Sequence, residues 1–246
     1  MRPDSVDVVV LCAGLGTRLK PLTDSVPKAL VPIAGRPLLA YHLKAMKQAG
    51  IRRVVCVVGY LGDRIREYVG DGTSFGLKVQ YASQPVPNGT GGAVLAARDY
   101  VRSNPFAVLY ADVFFQPMGA TWASVLGDDS GAMLCAEVRD TSQFGRVITG
   151  DSARGGVVKR VVEKDGRNVP GLVNAGLLLL PKKAMGYLEM AKPSPRGEIE
   201  LPAIVEPMNR GGEAMRVVSV NRWTDIGTLS ALEFAQTVSF HELAPR

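Results

Sequence analysis

The chain is poor in the residues that build metal cages and covalent active sites. Its histidines are two, His42 and His241, and its cysteines three, Cys12, Cys56 and Cys135. The histidines have no partner spacing for a zinc site or a Ser-His-Asp triad, so His42, in a helical stretch, and His241, in the tail, are read as structural or exposed. The cysteines lack C-x-x-C spacing and sit in apolar, strand-like runs. Buried, reduced thiols are expected, as in a cytoplasmic protein. No run of about 18 apolar residues occurs, so no membrane-spanning helix is expected. The first apolar run is too short for a secretory leader, and a cytoplasmic location is the expectation. Aromatics make up 7% of the chain, and no Arg/Lys run is interleaved with them. The formal charge of +6 is scattered, so nucleic acid is not an expected partner. A positive field suits small, highly anionic substrates instead.

What is present is an ordinary globular composition: 246 residues, 46% hydrophobic and 21% charged. That is enough to bury a sizeable core in one large α/β domain. Apolar runs alternate with helical patterns. Strands are expected at Val6–Leu11, Arg53–Val58, Leu77–Tyr81 and Phe106–Tyr110. Helices are expected from Pro37 to about Gln48, over Asp63–Val69 with Asp63 as N-cap, and from Thr90, as N-cap, to Val101. This alternation predicts a Rossmann-like, doubly wound, mostly parallel sheet. The second half is less regular. Strands are expected at Ala132–Val138, around Val147, and at Val157–Val162, Leu172–Leu180 and Met215–Val220. Helices are expected at Leu201–Met208 and Thr228–Val238. Lys192–Gly197, with two prolines and a glycine, is the strongest loop signal. The reading is one domain over 1–246, with a nucleotide-binding half over about 1–115 and a substrate half over about 116–246.

The most informative segment runs from Leu11 to Thr23. Three valines, Val8 to Val10, lead into Gly14 and Gly16, with Arg18 beside them and Lys28 ten residues on. Glycines let backbone amides approach and cradle phosphate oxygens, while Arg18 and Lys28 can neutralise a triphosphate. The dinucleotide fingerprint fails because Leu19 stands where its third glycine belongs, and the Walker pattern fails as well.

Open α/β sheets bind ligands at the carboxyl ends of their strands. Candidate residues fall there. Asp112 can hold Mg²⁺ or simply cap a turn. Asp225 can share that metal or cap the last helix. Gln84, with Gly89 and Thr90 close behind, can read a base edge or belong to a proline-stiffened loop. Lys164 can act as a phosphate point charge or as a solvated edge charge. Asn174 can bind a sugar hydroxyl or a backbone group.

The order of these landmarks, G-x-G-T-R-L-x-P-L-T, P-K-A-L-V-P, Gln84, Asp112, Phe144-Gly145-Arg146-Val147, Glu163-Lys164, Asn174-Ala175-Gly176 and Trp223-x-Asp225-x-Gly227-Thr228, resembles the sugar-1-phosphate nucleotidylyltransferases from Val8 to about Thr228. The resemblance implies a nucleotide-diphospho-sugar transferase fold. It also implies a reaction in which a sugar 1-phosphate oxygen attacks the α-phosphorus of a nucleoside triphosphate and releases pyrophosphate. By this resemblance Arg18, Lys28 and Lys164 are catalytic, with Lys164 on the sugar phosphate. Leu11, Ala13, Gly14, Gly16, Thr17, Gln84, Gly89 and Thr90 hold the nucleotide. Gly145, Arg146, Glu163, Asn174 and Gly176 line the sugar pocket, and Asp112 and Asp225 hold Mg²⁺. No β-helix domain is expected, because the chain ends soon after the catalytic portion. Some relatives are dimers or tetramers, so a homo-oligomer is open.

Two departures stand out. The metal carboxylate is flanked by Ala111 and Val113 rather than by polar residues. Arg146 replaces a small or apolar residue and suggests an unusual or more anionic sugar. Gln-Pro-x-Pro-x-Gly favours dTTP or UTP, whereas Thr90-Gly91-Gly92-Ala93 suggests GTP with a mannose, heptose or cyclitol phosphate. A cytidylyltransferase acting on a small phosphorylated alcohol is the runner-up reaction. A silent, sugar-nucleotide-binding regulatory protein is the rival from another class.

Overall fold

A computed structural model describes residues 1–127, 130–150 and 156–237. Strand β1 (Asp7–Leu11) lies inside the main sheet, and Val8, Val9 and Val10 are wholly buried. Val8 and Val10 face one core and Val9 the other, which is why the run is continuously apolar rather than alternating. After β1 the chain forms a small hairpin of β2 (Pro32–Ile33) and β3 (Arg36–Pro37), then α1 (Leu38–Gln48). Next come β4 (Arg53–Val58), α2 (Gly62–Val69), β5 (Lys78–Ser83), α3 (Thr90–Ala96) and β6 (Phe106–Tyr110). β1 pairs in parallel with both β4 and β6, and β4 pairs in parallel with β5.

The second half contains β7 (Val113–Gln116), α4 (Met118–Val125), β8 (Gly131–Val138), β9 (Gly145–Gly150), β10 (Val157–Glu163) and β11 (Gly171–Leu180). It continues with α5 (Ala184–Glu189), α6 (Val205–Arg210), β12 (Met215–Val220), β13 (Arg222–Asp225) and α7 (Leu229–Thr237). The main sheet runs β5-β4-β1-β6-β11-β8-β12-β10-β9. The α/β class stands. Parallel pairing is complete from β5 to β6. β11 then enters antiparallel to β6, and the remaining strands mix parallel β8–β12 with antiparallel partners.

Several local expectations are corrected. Gly62 opens α2 after Leu61, so Asp63 lies in the first turn and does not cap. Gly89 is the N-cap of α3, and Thr90 uses its Oγ1 to accept the Leu201 N–H at 2.8 Å. α3 ends at Ala96 rather than Val101, because tight turns return the chain to the buried Asp7. Asp7 Oδ2 accepts the N–H groups of Arg102 and Ser103 at 2.6 and 2.7 Å. Leu201–Ile204 is a 3-10 turn that runs into α6. Cys12, Cys56 and Cys135 are buried free thiols, as expected. Among the described residues no helix is long and apolar enough to cross a membrane. His241 and the end of the expected last helix, Val238, lie outside the described residues.

Candidate active site

The glycine loop leaves the carboxyl end of β1. Gly16 has φ +65°, and a Cβ there would stand 2.8 Å from Thr23 Cγ2, whose hydroxyl donates to the Gly16 carbonyl at 2.8 Å. Only glycine meets both demands without strain. A single 3-10 turn over Thr17–Leu19 then buries Leu19 and leaves Arg18 half-exposed beside the cavities. Opposite the loop, Gln84 donates from Nε2 to Asn88 Oδ1 (2.7 Å) and to the Gly89 carbonyl (3.0 Å). Its amide is thereby fixed, with Oε1 left as the acceptor. Gly89 has φ +94°, and a Cβ there would stand 2.5 Å from the Ile199 carbonyl. Leu11, Ala13, Gly14, Gly16, Thr17, Gln84, Gly89 and Thr90 all line one cavity of about 360 Å³, together with Asp112 and Lys164.

A second cavity of about 190 Å³ adjoins it. Its walls include Arg18, Gly145, Glu163, Lys164, Asn174 and Asp225, and it shares Thr90, Tyr110, Asp112, Lys164 and Glu200 with the first. Between them sits a charge centre. Asp112 follows β6. The ladder of β7 with β13 sets Asp225 opposite Val113, and Ile226 N–H donates to the Asp112 carbonyl at 2.8 Å. This ladder brings together two acids far apart in sequence. Lys28, mostly buried, places Nζ 2.6 Å from Asp112 Oδ2 and 3.6 Å from Asp225 Oδ1, and Arg18 Nη2 lies 3.9 Å from Asp225 Oδ2.

Burial opposes the charge on Asp112, but Lys28 outweighs it and holds the carboxyl below its ordinary range. Burial, reinforced by Asp112, pushes Asp225 up against the opposing pull of Lys28 and Arg18. Burial would likewise lower the Lys28 ammonium, but the two carboxylates hold it above the usual lysine value. Asp225 Oδ1 is buried without a hydrogen bond. Asp225 does not cap the last helix; Thr228 does, accepting the Ala231 N–H at 3.2 Å.

On the far side, Gly145 stands opposite Glu163 across the β9–β10 ladder, and a Cβ at Gly145 would stand 2.6 Å from Glu163 Oε1. Lys164 follows with φ +44° and donates its N–H to the Phe144 carbonyl at 3.2 Å. A left-handed backbone at a non-glycine residue costs on the order of 1 kcal/mol and is concentrated at functional sites. Asn174 Oδ1 accepts the Gly176 N–H at 3.0 Å, so one half of this amide serves the backbone. Gly176 lines neither cavity. With φ +84° and Val113 Cγ1 2.8 Å from a notional Cβ, it lets β11 pass close behind β7. Arg146 also lines neither cavity; its Nη2 donates to Asp165 Oδ2 at 2.5 Å. Burial, and then Glu200, push Glu163 up.

Sequence reasoning missed Tyr110, Gln143, Trp223, Glu198 and Glu200 as cavity walls. Trp223 donates Nε1–H to the Ala175 carbonyl at 3.0 Å and meets Phe144 edge-on with ring centroids 5.3 Å apart. Glu198 and Glu200 follow the proline-rich loop, and only their i, i+2 spacing hinted at a common face. Arg196 pairs with both. His42 is structural, as read. It is buried, its Nε2–H donates to the Val113 carbonyl at 2.7 Å, and burial lowers its pKa to about 4.

Two joined cavities at the carboxyl ends of a doubly wound sheet, one walled by a glycine loop and one by charged side chains, define a nucleotide-handling α/β enzyme. The chain belongs to the nucleotidyl transferase family, whose sequence model matches residues 7–239. It is 32% identical over 224 residues to the bifunctional protein GlmU of Methanococcus maripaludis, covering 90% of this chain and 51% of GlmU. It therefore spans about half of that protein. It is also 32% identical over 243 residues to a glucose-1-phosphate thymidylyltransferase of Streptomyces griseus, covering 97% of this chain and 67% of that one. A solved structure described as a glucose-1-phosphate thymidylyltransferase from Bacillus anthracis, in complex with sucrose, superposes with a TM-score of 0.82 at 24% identity, covering 96% of this chain and 97% of that one. The nucleotide-diphospho-sugar transferase fold expected from the sequence is thereby shown.

Proposed function

We propose that the chain transfers a nucleotidyl group from a nucleoside triphosphate, dTTP or UTP by preference, to a sugar 1-phosphate, forming a nucleoside diphosphate sugar and pyrophosphate. The observation that carries this reading is the junction of the two cavities at Asp112 and Lys164. Two substrates bound on either side would meet there. Catalysis would then be a matter of positioning and charge neutralisation. Arg18 would bind the triphosphate and the transition state. Lys28 would help neutralise phosphates on the pyrophosphate side. Lys164 would hold the attacking sugar phosphate, with Glu163 and Asn174 on sugar hydroxyls.

Asp112 and Asp225 suit a divalent cation. Both converge on one ammonium, and Asp225 Oδ1, 3.6 Å from Lys28 Nζ, is a buried acceptor without a hydrogen bond. Among the described residues no set of three or more ligand-type side chains forms a cage. This matches a metal such as Mg²⁺ that completes its shell with substrate oxygens. When bound, Mg²⁺ would polarise and orient phosphoryl oxygens.

The fixed Gln84 amide leaves an acceptor, which suits the N3–H of thymine or uracil. Gly91 and Gly92, the residues that suggested GTP, have a reason in packing. A Cβ on Gly91 would stand 2.7 Å from Ile199 Cγ2, and one on Gly92 would overlap Asn88 Oδ1.

The test is pyrophosphate release from dTTP, UTP, GTP, CTP and ATP against a panel of sugar 1-phosphates, with Mg²⁺ and with EDTA. Metal-dependent turnover confined to a few pairs is expected. Silence across the matrix from folded protein would overturn the reading.

A further inference from the structure

We infer that Arg146 and Asp165 form a latch that positions Lys164, and that Arg146 does not itself bind the sugar. The inference rests on the function proposed above. Arg146 sits where three strands meet: it is opposite Val162 on β10 and opposite Val173 on β11. Its guanidinium turns to the residue just beyond Lys164 in the chain. Nη2 is 2.5 Å from Asp165 Oδ2, and both side chains are only 17% exposed. Arg146 Nε is buried without a partner, so the charge is spent on Asp165 through one bond. Asp165 in turn ties down its own turn, accepting the Arg167 N–H on Oδ1 at 3.1 Å. Arg167 Nε lies 3.7 Å from Asp165 Oδ2. The Arg146 and Arg167 charges hold the Asp165 carboxyl below its ordinary range, with the Arg146 hydrogen bond the largest cause.

Lys164 is therefore bracketed. On one side its own N–H is bonded to Phe144; on the other the next residue is pinned from β9. The bracket holds a lysine in a left-handed conformation that its side chain disfavours. Released, the backbone would relax toward common φ values and carry the ammonium away from the junction of the two cavities, where both substrates need it. The anion that Arg146 recognises is thus inside the protein, and its presence sets where the sugar phosphate is held.

The experiment is steady-state pyrophosphate release by the full chain, using the nucleotide and sugar 1-phosphate that turn over fastest in the matrix above, with thermal unfolding as a check on folding. Arg146→Gln and Asp165→Asn are each expected to lower kcat/KM for the sugar phosphate roughly 10- to 100-fold, leaving KM for the nucleotide within about twofold. The double variant should be no worse than either single, since the two act as one unit. Arg146→Lys, which keeps a cation within reach of Asp165, should stay within about threefold of wild type. The deciding readout is the Lys164→Ala background, where adding Arg146→Gln should cost nothing more. A further tenfold loss there, a kinetically silent Arg146→Gln, or an equal rise in KM for the nucleotide would overturn the latch while leaving the proposed reaction intact. A wild-type chain that turns over no pair would overturn both.

Discussion

The two walls of the site are made differently. The wall proposed for the nucleotide begins in glycine loops: Gly14, Gly16 and Gly89 open space, and the side chains behind them, Thr23 and Asn88, are occupied in holding the loops. The wall proposed for the sugar is side chain: Glu163, Asn174 and Trp223, with Lys164 and Glu200 shared with the first cavity. Glycine loops suit the phosphates that all nucleotides share and leave the base to Gln84, while a side-chain wall can be altered one residue at a time. Nucleotide binding should accordingly be sensitive to added volume, and sugar binding to lost charge.

Substitutions can break or sharpen this contrast. The largest effect is expected at the seam, which belongs to both walls. Asp112→Asn should lower kcat roughly 100- to 1000-fold at saturating Mg²⁺, and EDTA should abolish turnover of the wild type; near-normal pyrophosphate release by the variant would remove Asp112 from metal binding. Arg18→Ala should cost about 100-fold in kcat/KM, and unchanged kcat and KM would exclude it from catalysis. Next, Lys164→Ala and Gly16→Ala should separate the walls. The first should lower kcat/KM for the sugar phosphate about 100-fold, at least as much as Arg146→Gln, with KM for the nucleotide unmoved, and the second should raise KM for the nucleotide about tenfold with that for the sugar phosphate unmoved. If both moved the same constant, the division would be wrong.

The smallest effect concerns His42 under the seam. Its folded pKa of about 4 lies below the ordinary 6.5, so between those values the unfolded chain binds more protons than the folded one. Stability should fall as pH falls through that window, by about 1 kcal/mol between pH 7 and 5.5. Urea unfolding of His42→Gln should lack that component.

The legibility of the molecule follows the same division. Val8 to Val10 and the glycine loop are local signals, and the structure keeps them in place. The strand ends before Asp112 and Lys164 were legible too, each with a bland alternative beside it; Asp225 was expected to follow the Met215–Val220 strand and instead ends a separate one, β13. What brings Asp112 and Asp225 together is the β7–β13 ladder, a pairing across more than a hundred residues that no local pattern announces. Arg146 was expected in the sugar pocket, yet it lines neither cavity. Its partner Asp165 could be found only by folding β9 against β10, because the chemistry of a cation does not say which anion it meets. Glu198 and Glu200 stayed hidden because a proline-rich loop reads as solvent until something holds it down.

What holds it down has a mechanical consequence. Ile199 N–H donates to the Asn88 carbonyl at 2.8 Å, Gly91 N–H to the Ile199 carbonyl at 2.7 Å, and Leu201 N–H to Thr90 Oγ1 at 2.8 Å. Two loops more than a hundred residues apart thus close into a hoop, with Gly89 on one arc and Glu198 and Glu200 on the other. Such a hoop has few degrees of freedom of its own. A change beside Gly89 tugs on the arc that carries Glu200, which lines both cavities, so the shapes of the two cavities are geared to one another rather than tuned on separate dials.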